Sequence, residues 1–263
     1  MSATSTTYTI RVDGHLDDDR ASSLAELELR RHDDGTTTLT VEVADQARLH
    51  GVLARLGDIG AVITEVRVAA EVRAPALERP LHTERLTLRA ATAEDADTTW
   101  PFRRLESVSE WLTGHPADLD DYRARFTAPD RLAITLIIVL GPDPAGPVIG
   151  DLMLRRSDAW AQAEVADRAR GAEAEIGWVL DPGATGHGYA TEDVRELLRH
   201  CFEDLGVHRV TANCFLDNDA SWRLMERVGM RRELHTVRES LHRSGRWLDG
   251  LGYAILDDEW SPG

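Results

Sequence analysis

The first fifty residues alternate apolar and polar positions in short runs. Residues 8–12, 25–29 and 39–43 each place an apolar side chain at every second position, the period of a β-strand with one buried face. The sequence Asp33-Asp34-Gly35 between the second and third runs is a typical turn signal. This region is therefore predicted to contain three strands, the last two of which form a hairpin.

A helix and a fourth strand are predicted next. Apolar residues between positions 49 and 56 follow helical spacing, and Asp45 stands where an N-cap is expected. Val62, Val66 and Val68 are predicted to share one face of the closing strand. The order β-β-β-α-β predicts a small α+β domain. We find no catalytic constellation in it, so the sequence assigns it no function.

A linker is predicted at residues 73–80, which contain two prolines and little periodicity. It would separate the small domain, residues 1–72, from a second domain at 81–263. The second domain begins with a strand at 83–89 and then a helix that opens near Ala93.

Two further strands of the second domain are predicted from apolar runs. Residues 132–140 are read as a buried strand, and residues 148–155 follow them after a turn rich in glycine and proline. The alanine-rich, charged stretch 157–174 is interpreted as a variable excursion. Beyond the linker, the predicted order is therefore strand, helix, strands, strand, helix, strand, helix and strands.

The composition of the chain excludes several kinds of catalytic and binding site. The chain has 263 residues, a formal net charge of −16 and no lysine, which excludes Schiff-base lysines and phosphate loops that end in Gly-Lys. Such acidity argues against nucleic-acid binding. The longest apolar run, 133–140, is too short to span a membrane, and no export signal is visible. We therefore expect a cytoplasmic protein whose Cys201 and Cys214 are packing residues.

The segment that carries chemistry follows a strand at 175–180. Its turn contains Gly186, Gly188 and Ala190, and a helix with an apolar face begins directly afterwards. Small residues keep the backbone accessible, and N–H groups at a helix N-terminus attract anions. The turn is therefore either a phosphate-binding site or an ordinary tight turn.

Three motifs in this region, in order and spacing, resemble the GNAT superfamily of N-acetyltransferases, and most closely its RimJ/RimL-like branch. They are Thr185, Gly188 and Ala190 in the turn, Asn218 and Ser221 after the next strand, and Leu224, Gly229 and Met230 at a helix end. The resemblance covers residues 81–260. It implies a GNAT-like mixed central sheet flanked by helices, with acetyl-CoA as co-substrate and no metal.

The resemblance also implies how acetyl-CoA is bound. Its pyrophosphate would lie on backbone N–H groups of the turn, and its pantetheine arm beside the strand at 176–180. A backbone N–H near Val179 would bind the thioester carbonyl, and Asn218 would bond near the sulfur. The implied turn residues are Thr185, Gly186, His187, Gly188, Tyr189 and Ala190. Thr185 replaces the usual Gln or Arg of the family.

Two residues are candidates for proton transfer. Glu175 is either the base that deprotonates the amine or a structural carboxylate at a strand end. Ser221 is either the acid that protonates the leaving thiolate or a helix cap. Met225 occupies the position of the family's usual Tyr acid and cannot donate a proton.

The acceptor is weakly specified by the sequence. The resemblance implies an acceptor site built from 100–111, where Trp111 is either a pocket wall or a core residue, and from the late hairpin at 235–247. The net acidity favours a cationic amine, either a protein N-terminus or a small molecule. A homodimer is possible, and the alternative function is an acyl-CoA sensor with a degenerate site.

Overall fold

A computed structural model describes residues 6–16, 27–32, 35–43, 46–68 and 77–261. The chain divides into two compact units, Met1–Arg73 and Ala74–Gly263, and each is described by itself. The predicted Asp45 cap and the start of the run at 25–29 lie outside the described residues. Residues 73–76 of the predicted linker also lie outside them, whereas Leu77 is buried in the core of the larger unit.

The smaller unit is a four-stranded antiparallel sheet with one helix. Its strands have the order β2-β3-β1-β4, and Ile10, Leu39 and Leu56 are fully buried between the sheet and the helix. The elements are β1 (Thr6–Asp13), β2 (Glu28–Arg31), β3 (Thr36–Val43), α1 (Gln46–Asp58) and β4 (Val62–Val68). The predicted β-β-β-α-β order is confirmed.

The prediction for the buried face of β4 is wrong at Val62, and Val66 of the same predicted face is itself 40% exposed. The pairing of β1 with β4 contains a bulge, so that Ile10 is opposite Val66 but Val12 is opposite Ile63. An extra residue in one strand moves the following side chains to the other face. Ile63 therefore packs on the core, while Val62 is 62% exposed.

The larger unit contains an eight-stranded mixed sheet with the order β11-β12-β10-β9-β8-β7-β6-β5. Its strands are β5 (Leu81–His82), β6 (Leu86–Ala90), β7 (Thr135–Leu140), β8 (Val148–Ser157), β9 (Glu173–Leu180), β10 (Arg209–Phe215), β11 (Arg231–Leu241) and β12 (Trp247–Leu256). All neighbours run antiparallel except β9 and β10. The predicted mixed sheet is confirmed.

Helices cover both faces of this sheet. They are α2 (Asp95–Arg103), α3 (Glu106–Ser109), α4 (Leu119–Phe126), α5 (Pro129–Leu132), α6 (Tyr189–Arg199) and α7 (Asp219–Arg227), with a π-helical turn at His200–Asp204 and 3-10 turns at Ala163–Ala169 and Pro182–Ala184. On one face α6 buries Val194, Leu197 and Leu198. On the other, α4 buries Tyr122 and Phe126.

Three predicted boundaries differ from the structure. The strand predicted at 83–89 begins at Leu86 and ends at Ala90. The run at 132–140 begins with the end of α5, and its strand starts at Thr135, because Pro129 occupies the first turn of a short helix. The stretch read as an excursion, 157–174, contains the end of β8 and the start of β9. Only its middle part lies outside the sheet. In the described ranges, no helix has both the length and the apolar character needed to cross a bilayer.

Candidate active site

Strands β9 and β10 diverge in the middle of the large sheet. They pair in parallel over three residue pairs, the last of which is Glu175 with Thr211. Both strands then continue, β9 to Leu180 and β10 to Phe215. The backbone groups that face the resulting gap need partners other than a neighbouring strand.

The hydrogen-bond phase of β9 decides which N–H groups face this gap. The Asp181 N–H donates to the Ile149 carbonyl of β8 at 2.8 Å, and the two strands pair without a register shift. Because N–H direction alternates along an antiparallel ladder, the Val179 N–H faces β8. The N–H groups of Trp178 and Leu180 face the gap. The Val179 N–H therefore does not face the gap, and its neighbours on β9 are the groups that do.

The turn after β9 presents a row of backbone N–H groups. Gly186 and Gly188 both have a φ of +81°, a conformation that side chains with a Cβ disfavour. In the described part of the chain, no acceptor binds the N–H groups of residues 186–190, and the first helical bonds run from Thr191 and Glu192 to the Gly188 carbonyl. The turn can therefore receive an anion at the N-terminus of α6.

Arg85 fixes this turn from the neighbouring β5–β6 connection. Its guanidinium pairs with Glu192 at 2.6 Å and donates to the His187 carbonyl at 3.0 Å. Glu192 also accepts from the Thr83 hydroxyl at 2.5 Å. Burial raises the pKa of Glu192, but these donors outweigh it and lower that pKa below its ordinary value. The turn of residues 185–190, called the cradle below, is thus held in shape by contacts from outside its own segment.

Two side chains of the turn form hydrogen bonds with backbone carbonyl groups of the same segment. The Thr185 hydroxyl donates to the Pro182 carbonyl at 2.8 Å, and the His187 ring bonds the Thr185 carbonyl at 2.9 Å. His187 also stacks on Tyr189, with the ring centroids 5.5 Å apart. Thr185, Gly186, Gly188, Tyr189 and Ala190 line the cleft, whereas the exposed His187 does not.

The N-terminus of α7 brings the two other candidate residues to the same cleft. The Asn218 side chain caps the helix by accepting from the Ser221 N–H at 3.3 Å. Ser221 is therefore not the cap, and no hydrogen bond of its hydroxyl is found within the described residues. Both residues line the cleft, while Met225 is buried in the core.

Glu175 lies where the pairing of β9 and β10 ends, and it lines the cleft. Its carboxylate forms an ion pair with Arg155 of β8 at 3.0 Å and is about one-third exposed. The carboxylate can therefore reach a water molecule or an amine in the cleft. The same ion pair also gives Glu175 a structural role, so the geometry is compatible with both interpretations.

Neither cysteine is poised to act as a nucleophile. Both are free thiols, and burial raises the pKa of Cys201 to about 12 and that of Cys214 to about 11. Thiols with such pKa values stay protonated at neutral pH. Cys214 nevertheless lines the cleft from β10.

On the face of the sheet opposite α6, a buried ion pair lines the cleft. Arg103, at the end of α2, binds the Asp151 carboxylate of β8 through two nitrogen atoms, one of them at 2.7 Å. Burial lowers the pKa of Arg103, but the charge of Asp151 and its hydrogen bonds to Arg103 together outweigh burial and raise that pKa. Neither residue was predicted from the sequence, since the two are far apart in the chain and belong to no motif.

Aromatic side chains line the part of the cleft around Arg103 and Asp151. This part is called the acceptor half, after the role that the resemblance implies for it. Trp100 and Phe126 flank Tyr122, with centroid distances of 5.2 and 5.5 Å, and the Tyr122 hydroxyl bonds Thr99 at 2.8 Å. Burial raises the pKa of Tyr122, so its phenol is neutral at physiological pH. These residues form an apolar surface close to the charged pair.

Trp111 lines the cleft and packs against the late hairpin. Its ring lies 5.8 Å from His242 and 6.1 Å from Phe215, measured between centroids. His242 is in the turn between β11 and β12, and its ring bonds the Glu110 carbonyl at 3.0 Å. The helix region and the hairpin that the resemblance implied thus meet each other, but of the two only the helix region lines the cleft.

The two halves form one open cleft of about 1550 Å³. This exceeds the volume of a usual single-ligand pocket, as expected for a site that holds two substrates at once. In the described ranges, no three His, Cys, Asp or Glu side chains come together as metal ligands.

Each of the two units matches a known family of protein domains. Residues 7–67 match a domain of unknown function, DUF8691. Among curated proteins, the uncharacterized N-acetyltransferase YnaD of Bacillus subtilis is 38% identical over 87 residues, which are 33% of this chain and 51% of YnaD. The alignment therefore spans only about half of that relative.

Solved structures share the fold of the larger unit. A GNAT-family acetyltransferase from Bacillus anthracis has a TM-score of 0.57 and 26% identity, over 68% of this chain and 99% of its own. Mycobacterium smegmatis RimJ, solved in complex with CoA-disulfide, has a TM-score of 0.54 and 24% identity, over 68% of this chain and 85% of its own. The family model of the acetyltransferase (GNAT) domain matches residues 85–231. That is more than half of the protein, and the chain belongs to the GNAT acetyltransferase family.

Proposed function

We propose that this protein transfers the acetyl group of acetyl-CoA directly to a primary amine. The observation that carries the proposal is the continuity of three features in one cleft: the gap between β9 and β10, the N–H-lined turn, and the polar side chains of Glu175 and Ser221. A cleft built in this way accommodates a long, anionic thioester and an amine together.

The residues of the cofactor half fit acetyl-CoA. Backbone N–H groups of residues 186–190 suit a pyrophosphate, and the unpaired edge of β9 suits the two amides of a pantetheine arm. The fold neighbour RimJ, which was solved with CoA-disulfide, supports this assignment. Asn218, whose Oδ1 caps α7, retains its amide N–H groups for the thiol end.

Acetyl-CoA supplies an activated acyl carbon. The amine nitrogen forms a bond to this carbon while the bond from carbon to sulfur breaks. An ammonium acceptor loses two protons in the process, one to the base and then to solvent before the attack, and one that passes to the thiolate as the amide forms. The Trp178 N–H, which faces the gap, is positioned to stabilise negative charge on the carbonyl oxygen. We assign Glu175 as the base, directly or through water, and Ser221 as the acid.

We further propose that residues 81–263 form the catalytic domain, of the RimJ/RimL-like branch, and that residues 1–72 are an accessory domain. The acceptor would be a protein N-terminus or a small amine. Deletion of residues 1–73, which keeps Leu77 in the core of the larger unit, tests the division. Retained turnover by the remaining chain supports it, whereas loss of folding would show that the two parts depend on each other.

A thiol-release assay with acetyl-CoA and a panel of amines tests the activity. We expect release that requires both substrates, and a Ser221→Ala variant with kcat reduced about 100-fold at unchanged CoA affinity. Undiminished turnover would remove Ser221 from the acid role. Tight CoA binding without turnover on any amine would instead favour an acyl-CoA sensor.

A further inference from the structure

Arg131 differs from the other arginines of the acceptor half. It extends from α5 and lines the cleft, and it is partly buried. Arg103 is paired with Asp151 and Arg155 with Glu175. By contrast, the Arg131 guanidinium has neither an ion pair nor a hydrogen bond to any residue that the structure describes.

The charges around Arg131 do not cancel. Its pKa is lowered first by burial and then by the charge of Arg103, with a smaller effect from Arg155, and Asp151 offsets these only in part. Asp151 and Glu175 are already engaged by Arg103 and Arg155. Neither carboxylate pairs with Arg131, so the positive charge of Arg131 has no ion-pair partner among the residues that the structure describes.

This unpaired charge changes which acceptors fit. A substrate that carries only ammonium groups would meet an uncompensated guanidinium, and Coulomb repulsion is strongest where water is excluded. An acceptor that also carries a carboxylate would neutralise the site. A planar guanidinium binds a carboxylate through two parallel hydrogen bonds, so it is well suited to this contact.

We propose that Arg131 binds a carboxylate carried by the same molecule as the reactive amine. The proposal rests on the proposed acetyl transfer and names its substrate class. The carboxylate belongs either to a free amino acid or to an acidic side chain next to a peptide N-terminus. The aromatic wall of Trp100, Tyr122 and Phe126 beside it offers an apolar surface for the rest of the acceptor.

Two matched pairs of acceptors test the proposal. The first is L-phenylalanine with L-phenylalaninamide, and the second is the peptide amide Ala-Glu-Ala with Ala-Gln-Ala. We expect the wild type to prefer the acid of at least one pair by about 10- to 100-fold in kcat/KM, the worth of a charged hydrogen bond. The pair that shows the preference identifies the source of the carboxylate.

Substitution at Arg131 then assigns the preference to this residue. Arg131→Gln should reduce the acid-to-amide ratio at least tenfold, mainly through KM, and Arg131→Lys should keep part of it. Because the guanidinium has no partner among the described residues, both variants should fold normally. Arg123→Gln is the matched control, since Arg123 is paired with Asp97 and Asp120 outside the cleft, and its ratio should equal that of the wild type.

An unchanged ratio in Arg131→Gln, or no acid preference in either pair, would overturn the proposal while acetyl transfer still stands. If no amine is acetylated, the Arg131 proposal can still be tested by calorimetry, which measures how tightly the CoA-loaded protein binds two unreactive probes. N-acetyl-L-phenylalanine should then bind at least tenfold more tightly than N-acetyl-L-phenylalaninamide. Equal affinities would overturn the Arg131 proposal, separately from the failure of the activity.

Discussion

The cofactor half and the acceptor half of the cleft are built from different materials. The cofactor half consists of backbone N–H groups from one continuous segment, residues 178–190, whose side chains mostly bond within the segment. The acceptor half consists of side chains, and its central pair, Arg103 with Asp151, joins a helix to a strand. A backbone site tolerates changes of side chain, whereas a side-chain site changes its specificity with each substitution.

The largest effect is expected from a substitution that breaks the buried ion pair of the acceptor half and lowers the free energy of unfolding. Asp151→Ala leaves the Arg103 guanidinium buried without its partner, which should cost about 3–5 kcal/mol of unfolding free energy. Urea denaturation measures this loss. Asp120→Ala, at an exposed carboxylate paired with Arg123, should cost less than about 1 kcal/mol. Equal losses for the two variants would contradict the structural weight given to the buried pair.

Glu175 stands at the junction of the two halves and should affect chemistry alone. Glu175→Gln is expected to lower kcat about 100-fold, as for loss of a general base, with no change in CoA affinity. Glu173→Gln is the control, because Glu173 is on the same strand and paired with Arg209 but does not line the cleft. A similar kcat for the two variants would reduce Glu175 to its structural ion pair.

The cofactor half should respond to backbone changes. Gly188→Ala places a Cβ in the cradle at a φ of +81°, and we expect CoA to bind about tenfold more weakly because such strain costs about 1–2 kcal/mol. Calorimetry measures this affinity. Gly206→Ala introduces similar strain, at a φ of +62°, away from the cleft. CoA affinity reduced in both variants would show a general loss of stability instead.

The smallest expected effect concerns the support of the cradle. Glu192→Gln weakens its bonds to Arg85 and Thr83 and should cost about 1 kcal/mol at pH 7, since the pair is partly exposed. The folded-state pKa of Glu192 is lowered, so its contribution is complete above the ordinary value near 4.5 and is lost as pH falls through the folded value. Wild type and variant should converge in acid, and a constant difference in melts from pH 7 to pH 3 would refute this.

The same contrast explains what the sequence predicted. The turn at Gly186 and Gly188 was found because a local site leaves a local pattern. The Arg103–Asp151 pair was not, because its partners are 48 positions apart. The sequence could not show that the Val179 N–H faces β8, since the direction of each N–H depends on the pairing of β9 with β8. The Val62 prediction failed for a related reason, as a bulge leaves no mark on alternation.

The net charge of the chain and the charges of the acceptor half favour different acceptors. The chain carries 16 more acidic than basic residues, which favoured a purely cationic amine. In the acceptor half, by contrast, Arg131 has no ion-pair partner among the described residues, and the carboxylates of Asp151 and Glu175 are paired with other arginines. Long-range charge describes encounter, while the contacts of individual groups decide which molecule stays bound.

The divergence of β9 and β10 also has a mechanical consequence. The large sheet consists of two blocks, β5 to β9 and β10 to β12, joined through only three parallel residue pairs. A ligand that bonds both sides of the gap would act as a removable ninth strand and restore the continuity of the sheet. The cohesion of the two blocks, and with it the lifetime of the folded domain, would then rise with the concentration of CoA in solution.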